Sequence, residues 1–314
     1  MSKALVVIKS MGIGDLSILI SSIHAISKKI ANPVTILAQK NTRAYAILKH
    51  DPHIKEVIEL DEKEIKSFFG IIKKIRPKKF DRSYIYSDSI RLYLISKLSG
   101  IKENFHYKFF SKKRKNFFKT AKEFTEKTLN TEIDPQSKIY SDNSDILEAK
   151  KKYNMANNIK NIICGVSASG PTKRWDINNY IKLFEHLNSK FPCKFFLAGG
   201  LNDEDLIKQV MKSSIGKSCI SFCKMNLSEA IPIIGASQYY IGNDTGWGHI
   251  ASGLGLKSLF LFMDSPPLAY GIYSKKINII CPDGLTIEST SHNSRGKDRI
   301  PVDKVLRKAY ELIN

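Results

Sequence analysis

Tyr239-Tyr-Ile-Gly-Asn-Asp-Thr-Gly-Trp-Gly-His249-Ile-Ala-Ser-Gly-Leu254 runs from an apolar strand, through a short turn, into a helix of small residues. That order gathers free backbone N–H groups and the positive end of a helix at one point, an arrangement that binds phosphate. Asp244 and Thr245 are expected to cap the helix, and Gly246 lets a ligand approach the backbone closely. His249 stands about one turn inside, within reach of a phosphate oxygen. A capped strand-to-helix turn without a ligand has the same pattern, so the weight rests on two further turns. Gly12-Ile-Gly14-Asp15 opens the first helix of the chain, and Lys173-Arg174-Trp175 opens a helix in its middle.

Outward from these turns the chain alternates strand and helix. Ala4–Lys9 reads as a strand. Asp15–Ile30 reads as a helix with Leu16, Leu19, Ile20, Ile23 and Ile26 on one face. Strands over Val34–Ala38 and Glu56–Leu60 enclose a helix at 41–49. A helix over Ile65–Ile75, a strand over Phe80–Tyr86 after the Pro77 breaker, and a helix at 88–99 follow. The polar, turn-rich stretch 131–144 is the linker candidate. After a helix at about 145–154 the alternation restarts, with strands at Ile162–Val166 and Cys193–Ala198 and helices at Ile177–Lys190 and Asp203–Lys212. Repeated strand–helix units predict an α/β protein with parallel sheets, divided into domains at 1–143 and 144–314.

The chain has 314 residues, 42% of them apolar, enough for two ordinary domains. No apolar run reaches the roughly 18–20 residues of a membrane span. The short apolar stretch 4–8 lacks a cleavage site, so no signal peptide is expected and a cytoplasmic location follows. The cysteines Cys164, Cys193, Cys219, Cys223 and Cys281 lack a zinc-ligand spacing and read as reduced, buried thiols. The histidines show no metal spacing either, and no Asp-x-Asp cluster is present, so no metal and no cofactor are expected.

The net charge of +20 is concentrated in two basic segments, 63–79 and 102–122. It implies an anionic partner: nucleic acid, a membrane surface or an acidic glycolipid. A genome rich in A and T, whose codons favour lysine, would account for part of the total. In the second segment Phe109, Phe110, Phe117 and Phe118 interleave with Lys112, Lys113 and Lys115, which fits an interfacial segment, although the same phenylalanines would serve a core. Gly12-Ile-Gly14 is not a dinucleotide fingerprint, because the third glycine is missing and Gln39-Lys40 stands where an acid is required. Gly216-Lys217-Ser218 lacks the first glycine of a phosphate-binding ATPase loop, since position 211 is Met.

The strand with its Gly-Asp turn, the Lys-x-Trp after the linker, and the Asp-Thr-Gly-x-x-His before a small-residue helix together resemble the bacterial heptosyltransferases of glycosyltransferase family 9. The resemblance implies a glycosyltransferase B fold, in which two Rossmann-like domains with parallel sheets face a central cleft. The amino-terminal one would bind acceptor and the carboxyl-terminal one the nucleotide sugar. It also implies an inverting transfer from ADP-heptose or a related donor to inner-core lipopolysaccharide at the inner membrane. Asp15 matches the family's general base, and Lys173 matches the lysine on donor phosphate, with Ser169 as a nearby hydroxyl. Met225 matches a contact to the base, though a core methionine fits equally. Glu204 matches a ribose contact, with Asp205 as the alternative. Asp244, Thr245, Gly246 and His249 complete the donor set. Trp175 is read as packing and Arg174 as a solvated neighbour. Lys112, Lys113 and Lys115 are assigned to acceptor or membrane. Two other functions remain open at this point: a basic nucleic-acid-binding protein, and a nucleotide-sugar epimerase on the same fold.

Overall fold

The computed structural model describes residues 2–8, 11–109 and 116–314. The chain divides into two compact units, Met1–Tyr140 and Ser141–Asn314.

In the first unit the strands are β1 (Ala4–Val7), β2 (Val34–Gln39), β3 (Ile54–Leu60), β4 (Arg82–Ile85) and β5 (Glu103–His106). The helices are α1 (Ile13–Ile30), α2 (Ala44–Leu48), α3 (Glu62–Lys66), α4 (Phe68–Ile75), α5 (Ile90–Leu98) and α6 (Phe117–Leu129). The sheet order is β3-β2-β1-β4-β5, and every pairing is parallel. β1 lies at the centre and is buried throughout, as its unbroken apolar sequence requires. Leu5, Val7, Leu37 and Ile85 share a core with Ile71, Ile75, Leu92 and Ile95 of α4 and α5. α1 and α6 pack on each other, and the Tyr86 and Thr125 hydroxyls, 2.7 Å apart, tie the end of β4 to α6.

One expectation changes here, and two elements were not anticipated. The helix expected over Ile65–Ile75 breaks at Ser67, whose extended backbone ends α3 and whose hydroxyl accepts the Gly70 N–H to start α4. β5, Glu-Asn-Phe-His, is a polar edge strand that hydrophobic pattern does not announce. Phe117 and Phe118 open an amphipathic helix, in which Phe124 packs edge-on against Tyr86 and Tyr107. Phe110, Lys112, Lys113 and Lys115 lie outside the described residues.

In the second unit the strands are β6 (Lys160–Gly165), β7 (Cys193–Leu197), β8 (Cys219–Ser221), β9 (Tyr239–Asn243), β10 (Lys257–Leu261) and β11 (Ile277–Ile280). The helices are α7 (Asn143–Lys152), α8 (Ile177–Lys190), α9 (Glu204–Lys212), α10 (Leu227–Ala236), α11 (Gly246–Gly253), α12 (Pro267–Tyr270) and α13 (Val302–Ile313). The order β11-β10-β9-β6-β7-β8 is again wholly parallel. Its direction reverses between β6 and β9, and ligands of such sheets bind outside the carboxyl ends of the strands at that reversal. There Gly165 pairs with Gly242, and a Cβ on Gly242 would stand 2.5 Å from Gly165 Cα. No larger residue fits, so the two strands end side by side. All five cysteines are free and buried, and burial pushes the Cys193 thiol up to about 11 and the Cys219 thiol to about 12. Among the described residues no helix is long and apolar enough to cross a membrane.

Candidate functional site

The reversal between β6 and β9 brings the Ser167–Trp175 loop against the Asp244–His249 turn, and one side chain joins them. Asn243, the last residue of β9, is fully buried. Its Oδ1 accepts the Trp175 N–H at 3.1 Å and the Tyr180 hydroxyl at 2.9 Å. Its Nδ2 donates to the carbonyls of Val166 and Ser167, each at 3.1 Å. Trp175 is fully buried as well, and its indole N–H donates to the Ile300 carbonyl at 2.8 Å, so it is the packing anchor it was read to be. With its neighbour fixed, Lys173 ends a short 3₁₀ turn, Pro171–Lys173, at partial exposure. Arg174 departs from its expected solvated state: it is partly buried, 3.5 Å from Asp203.

The turn after β9 differs from the expected cap. Thr245 occupies the N-cap position of α11, but no side chain caps that helix, and the Thr245 hydroxyl lies 3.3 Å from Tyr240 Oη. The Asp244 carboxylate is engaged elsewhere. One oxygen is 3.1 Å from His249 Nε2, and the other accepts the Ser265 hydroxyl at 2.7 Å. His249 Nδ1 lies 2.9 Å from the Tyr273 hydroxyl. Burial opposes ionisation of Asp244. The bonds from His249 and Ser265 and the charge of Lys173 outweigh it and hold the carboxyl below its usual range. His249 is thus a buried partner of Asp244, and Gly248 lets α11 lie flat on Tyr240 and Phe260.

The remaining named residues are Ser169, Met225 and Glu204 of the second unit and Asp15 of the first. Ser169 is exposed, and Met225 is half-buried with its N–H on the Phe222 carbonyl. Glu204 begins α9 and faces Lys208 and Lys224 at 3.5 and 3.9 Å. Pairs this exposed contribute about 0–1 kcal/mol, so they do not lock Glu204 in place. Asp15 sits in the first turn of α1, beyond the carboxyl end of β1, and accepts the Gly12 N–H at 2.9 Å. Among the described residues no group of three His, Cys, Asp or Glu side chains is placed to hold a metal ion.

Four residues escaped the sequence reading: Asn243, Asp264, Ser265 and Tyr273. Asp264 follows β10, accepts the Thr172 hydroxyl at 2.7 Å and the Arg295 N–H at 3.0 Å, and is nearly buried. A signal existed for two of them, since Asp264-Ser265 follows an apolar strand much as Asp244-Thr245 does.

Two units, each built on a parallel sheet with helical crossovers, and a turn site at the reversal of the second sheet define the glycosyltransferase B class. Residues 71–297 match glycosyltransferase family 9 (heptosyltransferase), and the chain belongs to that family. It is 24% identical over 292 residues to lipopolysaccharide heptosyltransferase 1 of Campylobacter coli, covering 84% of this chain and 85% of the relative. Its fold is that of the E. coli ADP-heptose lipopolysaccharide heptosyltransferase II, with a TM-score of 0.78 at 17% identity, covering 100% of this chain and 98% of that one. The E. coli heptosyltransferase WaaC, solved with ADP, gives 0.70 at 12% identity, covering 98% and 97%.

Asn243→Ala should cost about 3 kcal/mol or more, because buried groups at Trp175, Tyr180, Val166 and Ser167 lose their partner together. Urea unfolding measures the loss, and a change below about 1 kcal/mol would mean that these bonds do not organise the site.

Proposed function

We propose that the protein moves a heptose from ADP-heptose to the Kdo-bearing inner core of lipopolysaccharide, with inversion, at the cytoplasmic face of the inner membrane. The carrying observation is the meeting of the Lys173 turn and the Asp244–His249 turn at the strand reversal, joined by Asn243. Family membership and the ADP-bound relative support the nucleotide. In this reading the acceptor hydroxyl gives its proton to Asp15 and attacks the anomeric carbon. The bond from that carbon to the diphosphate breaks, and its electron pair leaves with ADP. Lys173 and the amino end of α11 stabilise the leaving charge. Ser169, Thr245 and Gly246 line the donor side, Met225 the base and Glu204 the ribose, while His249, whose two ring nitrogens meet Asp244 and Tyr273, acts from behind by holding Asp244 and not by donating to phosphate as expected. That role is supported by the place of Asp15 within its own unit, beyond the end of the central strand and next to the order reversal between β1 and β4.

Peripheral membrane contact is part of the proposal. Ile90, Leu94 and Leu98 are exposed at successive turns along α5, beside exposed Lys97, and Phe69 of α4 is 78% exposed. An apolar stripe with lysines supports docking on an anionic lipid surface. Lys112, Lys113 and Lys115, which lie outside the described residues, are proposed to serve the acceptor or the membrane.

Asp15→Asn should abolish transfer while donor affinity stays nearly unchanged, since a general base contributes on the order of 100- to 10,000-fold. Turnover above about a tenth of wild type would remove Asp15 from that role. Lys173→Ala should weaken ADP by about 1.5–3 kcal/mol and leave adenosine almost untouched, because a lost charge-assisted contact acts on phosphate alone. Calorimetry showing equal losses for both ligands would reject the assignment. Changing Lys112, Lys113 and Lys115 to Glu should reduce binding to anionic vesicles by roughly 1 kcal/mol per residue, with the difference fading as salt rises. Vesicle binding that survives the triple change would show these lysines to be a solvated face.

A further inference from the structure

The dipeptide Asp264-Ser265 is the place in the second unit where both donor motifs are held by adjacent residues. It lies just beyond β10, with Asp264 8% and Ser265 1% exposed. Asp264 reaches one way, accepting the hydroxyl of Thr172 in the turn that ends at Lys173. Ser265 reaches the other way, donating at 2.7 Å to the Asp244 oxygen that His249 does not take. The dipeptide is itself fixed from behind. Asp264 accepts the Arg295 N–H, and the Gly296 N–H donates to the Met263 carbonyl at 3.0 Å. Gly296 approaches so closely that a Cβ there would stand 2.1 Å from Pro282 Cγ. Asn293 and Arg295 adopt left-handed backbone, φ 76° and 47°, to complete this support. Asparagine adopts that conformation readily, whereas for Arg295 it costs energy that its surroundings must offset.

We propose that Asp264 and Ser265 are positioning residues for the donor diphosphate, which lock the Lys173 turn and the Asp244–His249 pair into one unit before the donor arrives. The inference rests on the donor site proposed above. The sign of its effect is distinctive. Asp264 is a carboxylate beside Lys173, and burial, the Thr172 hydroxyl, the Arg295 and Asn293 amides and the Lys173 charge act on it with a net lowering of its pKa. On charge alone, removing a carboxylate from this place would tighten an anionic ligand. A positioning role predicts the opposite, because Lys173 then spends its time away from the phosphate.

The test is calorimetric titration of the full chain with ADP and with adenosine. Asp264→Ala and Thr172→Val should each weaken ADP about tenfold or more, the loss of one charge-assisted contact, with adenosine unchanged. The double variant should lose no more than the worse single variant, since the two residues act through one bond. Thr172→Ser should restore wild-type affinity. Ser265→Ala should lower kcat about tenfold or more through a misplaced Asp244, with a lower melting temperature but a folded protein, since a buried carboxylate loses a donor. ADP affinity that is unchanged or tightened in Asp264→Ala overturns the proposal, as does a melting-temperature loss with intact ADP binding and turnover. If wild type binds no ADP, the donor site is what fails, and the Asp264–Thr172 pair is then not a donor device.

Discussion

A primary amide has two donor hydrogens and an acceptor oxygen with two lone pairs, and Asn243 uses all of them inside the protein. It lies where β9 ends, beside a Gly165–Gly242 contact too close for any side chain. The two glycines bring the strands together, and the amide decides how the chain leaves each of them. One exit leads to Lys173 and the other to Asp244. An aspartate could not donate to the Val166 and Ser167 carbonyls. The rest of the site inherits its geometry from this residue.

The charges at the site are arranged around Lys173. Its field helps to hold both Asp244 and Asp264 below the usual carboxylate range. Because their folded pKa values are lowered, both acids stabilise the fold above the ordinary carboxylate range, and this contribution is lost as the pH falls through their folded values. Two fixed carboxylates near a cation proposed to meet phosphate would oppose an anion. Their hydrogen bonds explain them: each has its oxygens occupied by protein donors, so each acts as a strut. In the proposed reading the uncapped start of α11 and the Lys173 ammonium are the groups that meet the diphosphate.

The alternation of strand and helix was legible because parallel-sheet strands are continuous apolar runs and their helices carry one apolar face. β1, α1, β6, α8 and β7 were all readable in that way. Ser67 was harder, since a serine inside an apolar period signals a break only if its hydroxyl caps the next helix. β5 was invisible because an edge strand with Glu, Asn and His needs no apolar pattern. At the site, the sequence motifs identified the loops that meet. They did not show that Asp244 would be spent on His249 and Ser265, because Ser265 and Tyr273 lie 21 and 24 residues from their partners. Asn243 was passed over as part of a strand end, and only its four partners reveal it.

Family membership decides between the readings that the charge left open, since a glycosyltransferase accounts for the two turns that nucleic-acid binding would leave idle. In the proposed reading the basic surface is matched to an anionic acceptor or the lipid that carries it. The central claim is a transfer between two substrates, and mass spectrometry of the acceptor tests it most directly. Purified protein is incubated with ADP-heptose, with and without a Kdo-bearing inner core that lacks heptose. The account predicts that the acceptor gains a single heptose, with ADP released only when acceptor is present. An unmodified acceptor, or donor converted equally well without it, would contradict the account and favour an epimerase or a hydrolase.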